Sequence, residues 1–367
     1  MDSAVRLRVG LILLAALPLG ACVAQPPRLE ERHLLANLEL RDGTGRLYYR
    51  DLTIQEAEAL GPAVADVHSM VAHCLGFSPP RAELVVYAQG RETLGAVRET
   101  RCDLERGRSG WQIVFAYPYR ADQVSHLLGT TGHEMAEATV LLRVTAIDPY
   151  LRWVHDGIAD FAEHEVLRRQ DPAAALDSLG RARRLVEEHL GDGELWLDLA
   201  RWRQLAPWIV RSHRLLGPNE DNLSLKDVEG SLKRLARIRA ANKDPDRASG
   251  LAELEAILIR ARQIRERGFA QGEAHGSDAR EGDLLGYALS FAYWLEVERR
   301  ASGTIRGFLE GLERRRARGD HVLTGAEAKD VLRAALGAPP PSVAHYPLER
   351  ALSVIKTEEA RLQVGRK

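Results

Sequence analysis

From Ala121 to Ala146 the chain runs without proline and places apolar residues at Val124, Leu127, Leu128, Met135, Ala138, Leu141 and Leu142, the spacing of a helix with one packed face. His133 and Glu137, four residues apart, therefore share one side of that helix. After Asp148-Pro149 a second helix is expected from about Leu151, with Trp153, Ile158, Phe161 and Ala162 as its buried stripe. It carries Asp156 and Asp160, again one turn apart.

His133-Glu134-Met135-Ala136-Glu137 is followed by eighteen residues and then Asp156, inside Trp153-Val154-His155-Asp156-Gly157-Ile158-Ala159-Asp160-Phe161-Ala162-Glu163. This resembles the gluzincin metallopeptidases, and among them the peptidase MA-like proteins, whose pattern is H-E-x-x-H, the same gap, then a Glu within W-x-x-E-G-x-A-x-[FY]-x-E. The resemblance implies that His133 is the first metal ligand and Glu134 the general base that takes a proton from the metal-bound water. Glu137 stands where the family has its second His, and Asp156 where it has the ligand Glu. Asp160 matches a carboxylate that orients a ligand His through its other ring nitrogen.

Two of the three implied ligands are changed, and each change leaves a group that still binds cations. The chemistry shifts nonetheless. A divalent ion held by two His and one carboxylate keeps a net charge of +1, whereas one His and two carboxylates bring it to zero, so bound water is acidified less. Two carboxylates also make the site harder, moving it from zinc towards manganese or iron. The shorter Asp156 must reach further than a Glu.

An H-E pair on a helix is by itself common, and the Trp-to-Glu stretch at the family distance carries the fold expectation. Two function classes follow: a metallopeptidase acting on a peptide or protein substrate, or a descendant without the chemistry that serves as a binding or scaffolding protein. Among other histidines, His155 neighbours Asp156, but adjacent helical side chains diverge by about 100°, so one at most is expected to face an ion. His126 lies about 10 Å along the helix from His133, too far to share an ion. His164, one turn beyond Asp160, is expected beside the site or on the surface.

The first 21 residues read as a signal segment. Arg6 and Arg8 precede an apolar run from Val9 to Leu19 that is too short to span a bilayer. Leu19-Gly20-Ala21-Cys22 resembles the lipobox of bacterial lipoproteins, which implies that Cys22 is lipidated and becomes the mature N-terminus; the other reading is a secretory signal with an incidental Cys. Acyl chains at Cys22 would hold the protein to a membrane of the cell envelope without a spanning helix. Val23 in place of Asp favours the periplasmic face of the outer membrane, by analogy with lipoprotein sorting. Lys plus Arg (51) nearly balance Asp plus Glu (52), so nothing points to nucleic acid as a partner. Cys74 and Cys102 can pair in an oxidising compartment, and two thiols alone do not decide whether they do.

Residues 22–33 read as a tether. Strands are expected over 34–40 and 46–52, then a helix capped by Thr53 with Glu56 three residues on, broken or kinked at Gly61-Pro62. Ala82 to Ala88 and Trp111 to Tyr117 read as strands separated by a short helix and a polar loop from Arg101 to Gly110. This order, a small sheet leading into the metal helix, is again similar to peptidase MA-like domains. Beyond Glu163 helices are expected at about 173–190, 194–214, 224–241, 249–267, 282–300, 302–317 and 324–336, with 268–283 as a loop and 337–341 as a stiff Pro linker to a final helix. The expected fold is α+β: a sheet lobe with the metal-site helix (34–146), a helical lobe (147–336) and a C-terminal helix (337–367), with the site in a cleft between the lobes. Tyr287, in an apolar helix, is either a hydroxyl donor to the oxyanion formed during peptide attack or a core aromatic, and its surroundings favour the core.

Overall fold

The computed structural model describes residues 29–88, 101–107, 110–143, 146–147, 151–191, 225–242, 278–318 and 322–365, together with positions 196–197, 199, 202, 248, 251–252, 255, 258–259 and 262. The signal segment with Cys22, the short helix expected before residue 101 and most of the helices expected at 194–214 and 249–267 lie outside these residues.

The fold is α+β. Strands β1 (Ala36–Glu39), β2 (Gly45–Arg50), β3 (Arg81–Ala88), β4 (Arg101–Gly107) and β5 (Gly110–Tyr119) form one mixed sheet in the order β1-β2-β3-β5-β4. β2–β3 and β3–β5 pair in parallel, while β1–β2 and β4–β5 are antiparallel. Helix α1 (Ile54–Leu75) makes the crossover that a parallel β2–β3 pair requires. Alternation divides the strands: Leu84 and Val86 join the main core, whereas Val85 and Tyr87 join a smaller cluster with Tyr48, Val114 and Ala116.

Helices α2 (Val124–Leu141), α3 (Arg152–Gln170), α4 (Pro172–Gly191), α5 (Leu225–Ala241), α6 (Asp278–Arg300), α7 (Thr304–Ala317), α8 (Gly325–Leu336) and α9 (Leu348–Val364) follow. A single core runs from Leu47 of the sheet through Trp153 and Trp294 to Leu362, so the sheet segment, the helical segment and the C-terminal helix share one interior. Small residues let its helices close. A Cβ on Gly132 of α2 would lie 2.9 Å from Val166 of α3, and one on Gly157 of α3 would lie 2.7 Å from Trp294 of α6. Trp294 stacks on Trp153 at 5.8 Å and donates from its indole nitrogen to the Trp153 carbonyl at 2.6 Å.

Several local expectations are corrected. Gly61-Pro62 does not break α1, which runs through to Leu75; the Thr53–Glu56 capping box closes its start and Gly76, in the left-handed region, its end. The stretch Arg101–Gly107 is the edge strand β4, because pairing with β5 satisfies its backbone on one side. Trp196–Leu197 forms a short strand against Tyr346–Pro347 instead of a helix start. Helix α6 begins at Asp278, inside the expected loop. The Pro stretch leads to α9, with Val343 and Tyr346 buried beyond it and the Tyr293 hydroxyl donating to the Pro341 carbonyl at 3.2 Å. Among the described residues no helix is long and apolar enough to cross a membrane.

Cys74 carries a free thiol, so the pairing with Cys102 is not formed. Burial pushes that thiol up to about 12, aided by the charges of Glu165 and Glu298. Cys74 lies in the last turn of α1, whereas Cys102 lies on the edge strand β4.

Candidate metal centre at the crossing of α2 and α3

The close packing of α2 on α3 brings His133 and Glu137 against Asp156. One ligand atom from each of the three lies within 4.8 Å of the others. A second grouping at the same spacing joins His133 to Asp160 and Glu163. The histidine serves both through its two nitrogens: Nε2 is 3.8 Å from Asp156 Oδ1, and Nδ1 is 3.1 Å from Asp160 Oδ1 and 3.5 Å from Glu163 Oε2.

Each of the three donors has a partner that orients it. Asp160 meets His133 on the nitrogen turned away from Asp156. His155 Nδ1 lies 2.8 Å from Glu137 Oε1. Arg152 Nε donates to Asp156 Oδ2 at 2.6 Å, leaving Oδ1 facing His133. Arg152 is itself held, with its guanidinium carbon 4.7 Å from the ring centres of both Trp202 and Tyr287 and an Nη2 hydrogen bond to the Tyr287 hydroxyl.

Burial and neighbouring charge set the protonation of the cluster. Burial alone would depress the His133 pKa, but hydrogen bonds to Asp160 and Glu163 outweigh it and hold it well above the ordinary imidazole range. Burial also opposes charge on the Glu137–His155 pair. Their mutual hydrogen bond, with the charges of His133 and Arg152, lowers Glu137, and the Asp156 charge together with that hydrogen bond raises His155. Burial raises Asp156 against the pull of His155 and Arg152, and lifts Asp160 to about 7. Asp160 Oδ2 is buried and makes no hydrogen bond among the described residues.

The residues singled out from sequence therefore divide. His133, Glu137, Asp156 and Asp160 lie together. Glu134 is half-buried beside them and its charge acts on His133. The Tyr287 hydroxyl sits at the edge of the cluster through Arg152, its pKa raised by burial and by the Asp156 charge. Of the neighbours His155 and Asp156, Asp156 alone joins the candidate donor set, between Arg152 and His133, while His155 is buried against Glu137. His164 is neither surface nor part of the cluster; it is buried against Glu358 of α9, Nε2 to Oε1 at 3.3 Å. Arg152 and Glu163 received no role from sequence. Arg152 was detectable as the i−4 partner of Asp156, a favourable spacing for opposite charges on a helix. Glu163 was signalled by its place as the closing Glu of the Trp153–Glu163 stretch.

Beside the cluster, α3, α4 and α6 line an open cavity of about 450 Å³. Asp160, Glu163 and Tyr287 border it on the cluster side, and Leu179, Leu185 and Phe291 supply an apolar wall. The arrangement places a donor set that could hold a metal ion next to a space large enough for a side chain or small ligand. No family model and no curated protein matches this chain.

Proposed function

We propose that the protein is a membrane-anchored, metal-dependent peptidase whose divalent ion is held by His133, Glu137 and Asp156. The observation that carries this reading is the set of three separate orienting contacts, one to each donor: Asp160 to His133, His155 to Glu137 and Arg152 to Asp156. Metal sites need such support, because a ligand that swings freely binds poorly. The orphaned buried oxygen of Asp160 also fits a place where positive charge is expected.

A bound divalent ion supplies a Lewis acid that polarises water and a peptide carbonyl, with zinc the ordinary choice and manganese or iron suited to the two carboxylates. The chain's own groups do the rest. Glu134 takes the proton of the attacking water. Tyr287, kept neutral by its raised pKa, offers its hydroxyl to the oxygen that becomes negative. The cavity wall of Leu179, Leu185 and Phe291 receives an apolar side chain of the peptide and excludes water. Lipidation at Cys22 tethers the protein to the cell envelope, on the periplasmic face of the outer membrane.

A second reading rests on the same contacts. Arg152 and His155 already give Asp156 and Glu137 cationic partners, which is what a chain that has lost its ion needs to keep these acids buried. On that reading the protein is a non-catalytic binding lipoprotein. The metal content of protein purified without chelator decides between them. Near one equivalent in the wild type, lost in His133→Ala and Asp156→Ala, is the expected result. No metal in the wild type, with melting unchanged by chelator, selects the binding protein.

A further inference from the structure

We infer that Arg152 is a built-in counter-cation, returning to the donor set the positive charge that its second carboxylate removes. The inference rests on the metal-dependent reading above. One His and two carboxylates cancel a divalent ion, and Arg152, always protonated, adds one unit of positive charge through its 2.6 Å hydrogen bond to Asp156 Oδ2. With His155 as the neutral imidazole that supports a metal-bound Glu137, the loaded site then carries the net charge of a set with two His and one carboxylate. Glu134, Asp160 and Glu163 stand beside either set alike and do not alter that difference.

The setting of Arg152 favours this role over a simple packing ion pair. The guanidinium lies against the rings of Trp202 and Tyr287 and bonds the Tyr287 hydroxyl, so it is held on several sides and stays beside Asp156. Asp156 divides its oxygens, Oδ2 to Arg152 and Oδ1 towards His133 Nε2 at 3.8 Å and His155 Nδ1 at 3.8 Å. The arginine thus neutralises the carboxylate from behind without covering the oxygen that faces the other donors. A fixed positive charge there has two opposed effects. It weakens attraction for a divalent ion, and it leaves a bound ion with more unneutralised charge to polarise its water.

The test is the dissociation constant for Zn²⁺, measured by chelator competition on the wild type, Arg152→Gln and Arg152→Lys. Loss of the charge in Arg152→Gln should tighten zinc binding at least tenfold, while Arg152→Lys, which keeps the charge, should stay within about threefold of the wild type. A role limited to orienting Asp156 predicts the opposite sign: equal or weaker binding in Arg152→Gln overturns the inference and leaves the metal site standing. If Arg152→Gln does not fold, Arg152→Lys still decides, since a loss of more than tenfold there means that the fork geometry matters and the charge does not. Zinc binding by none of the three proteins overturns the metal-dependent reading and this inference with it.

Discussion

Two regions of this protein bury acids against histidine and arginine, and they do it differently. Where α9 docks on α3 and α6, each carboxylate is matched oxygen by oxygen. Glu358 accepts on one oxygen from Arg299 and meets His164 with the other; Glu296 receives Arg350 and Arg300 on Oε1, and Arg350 and the Tyr346 hydroxyl on Oε2. At the crossing of α2 and α3 the balance is broken. Glu134, Glu137, Asp156, Asp160 and Glu163 gather around His133, His155 and a single arginine, Arg152, and one buried oxygen of Asp160 has no hydrogen-bond partner among the described residues. A matched network locks helices together. An acid-rich one with its donors turned inward is expensive to bury, and such a group could hold a cation.

The largest expected effect separates the two regions by chemistry. Glu134→Gln at the crossing should lower peptide hydrolysis by about 10²- to 10⁴-fold, the usual contribution of a general base, with bound metal unchanged. Unaltered turnover in that variant would erase the functional side of the comparison. At the docking region the matching substitution, Glu358→Gln, should leave turnover alone and lower stability by about 3 kcal/mol in a urea titration, because Arg299 and His164 lose their partner.

Acid should reveal the same residue. Burial opposes charge on Glu358, but the hydrogen bonds of His164 and Arg299 outweigh it and hold its carboxyl down to about 2. Its contribution is therefore complete above the unfolded-state value near 4.5 and is lost as pH falls from there towards 2. Across that window the wild type should lose about 3 kcal/mol more than Glu358→Gln. Parallel curves for the two proteins would show that the docking network is not electrostatically tuned.

Added metal should act only at the crossing. Zinc at about 100 times its dissociation constant should stabilise the wild type by about 2.7 kcal/mol and should not stabilise His133→Ala, as read by thermal melting with and without chelator. The smallest effect concerns the packing that supports the site. Gly157→Ala places a methyl group against Trp294 and should cost about 2 kcal/mol, read by denaturant titration, with a fall in zinc affinity because Asp156 sits one residue away. Full stability in that variant would mean that α3 and α6 have slack at this point.

What could be read from the chain alone was periodic or local. The 3.6-residue repeat set α2 and α3, and with them the placement of His133 by Glu137 and of Asp156 by Asp160 on shared helical sides. Thr53 and Glu56 announced their capping box, since both partners lie within one turn. The α+β order of elements was likewise legible, because strand alternation and helical spacing are properties of short windows.

The tertiary structure alone decided whatever depends on residues far apart in sequence. Arg101–Gly107 becomes a strand because β5 is there to pair with it, and Trp196–Leu197 leaves the helical pattern because Tyr346–Pro347 lies alongside. His155 turns to Glu137, and Arg152 is held beside Asp156 by Tyr287 from 135 residues away. His164 finds its acid in α9, 194 residues on. Spacing along one helix states which side a group takes. The angle and distance at which two helices cross state which groups meet, and those follow from packing, here from glycines that admit a neighbour's side chain where a Cβ would not fit.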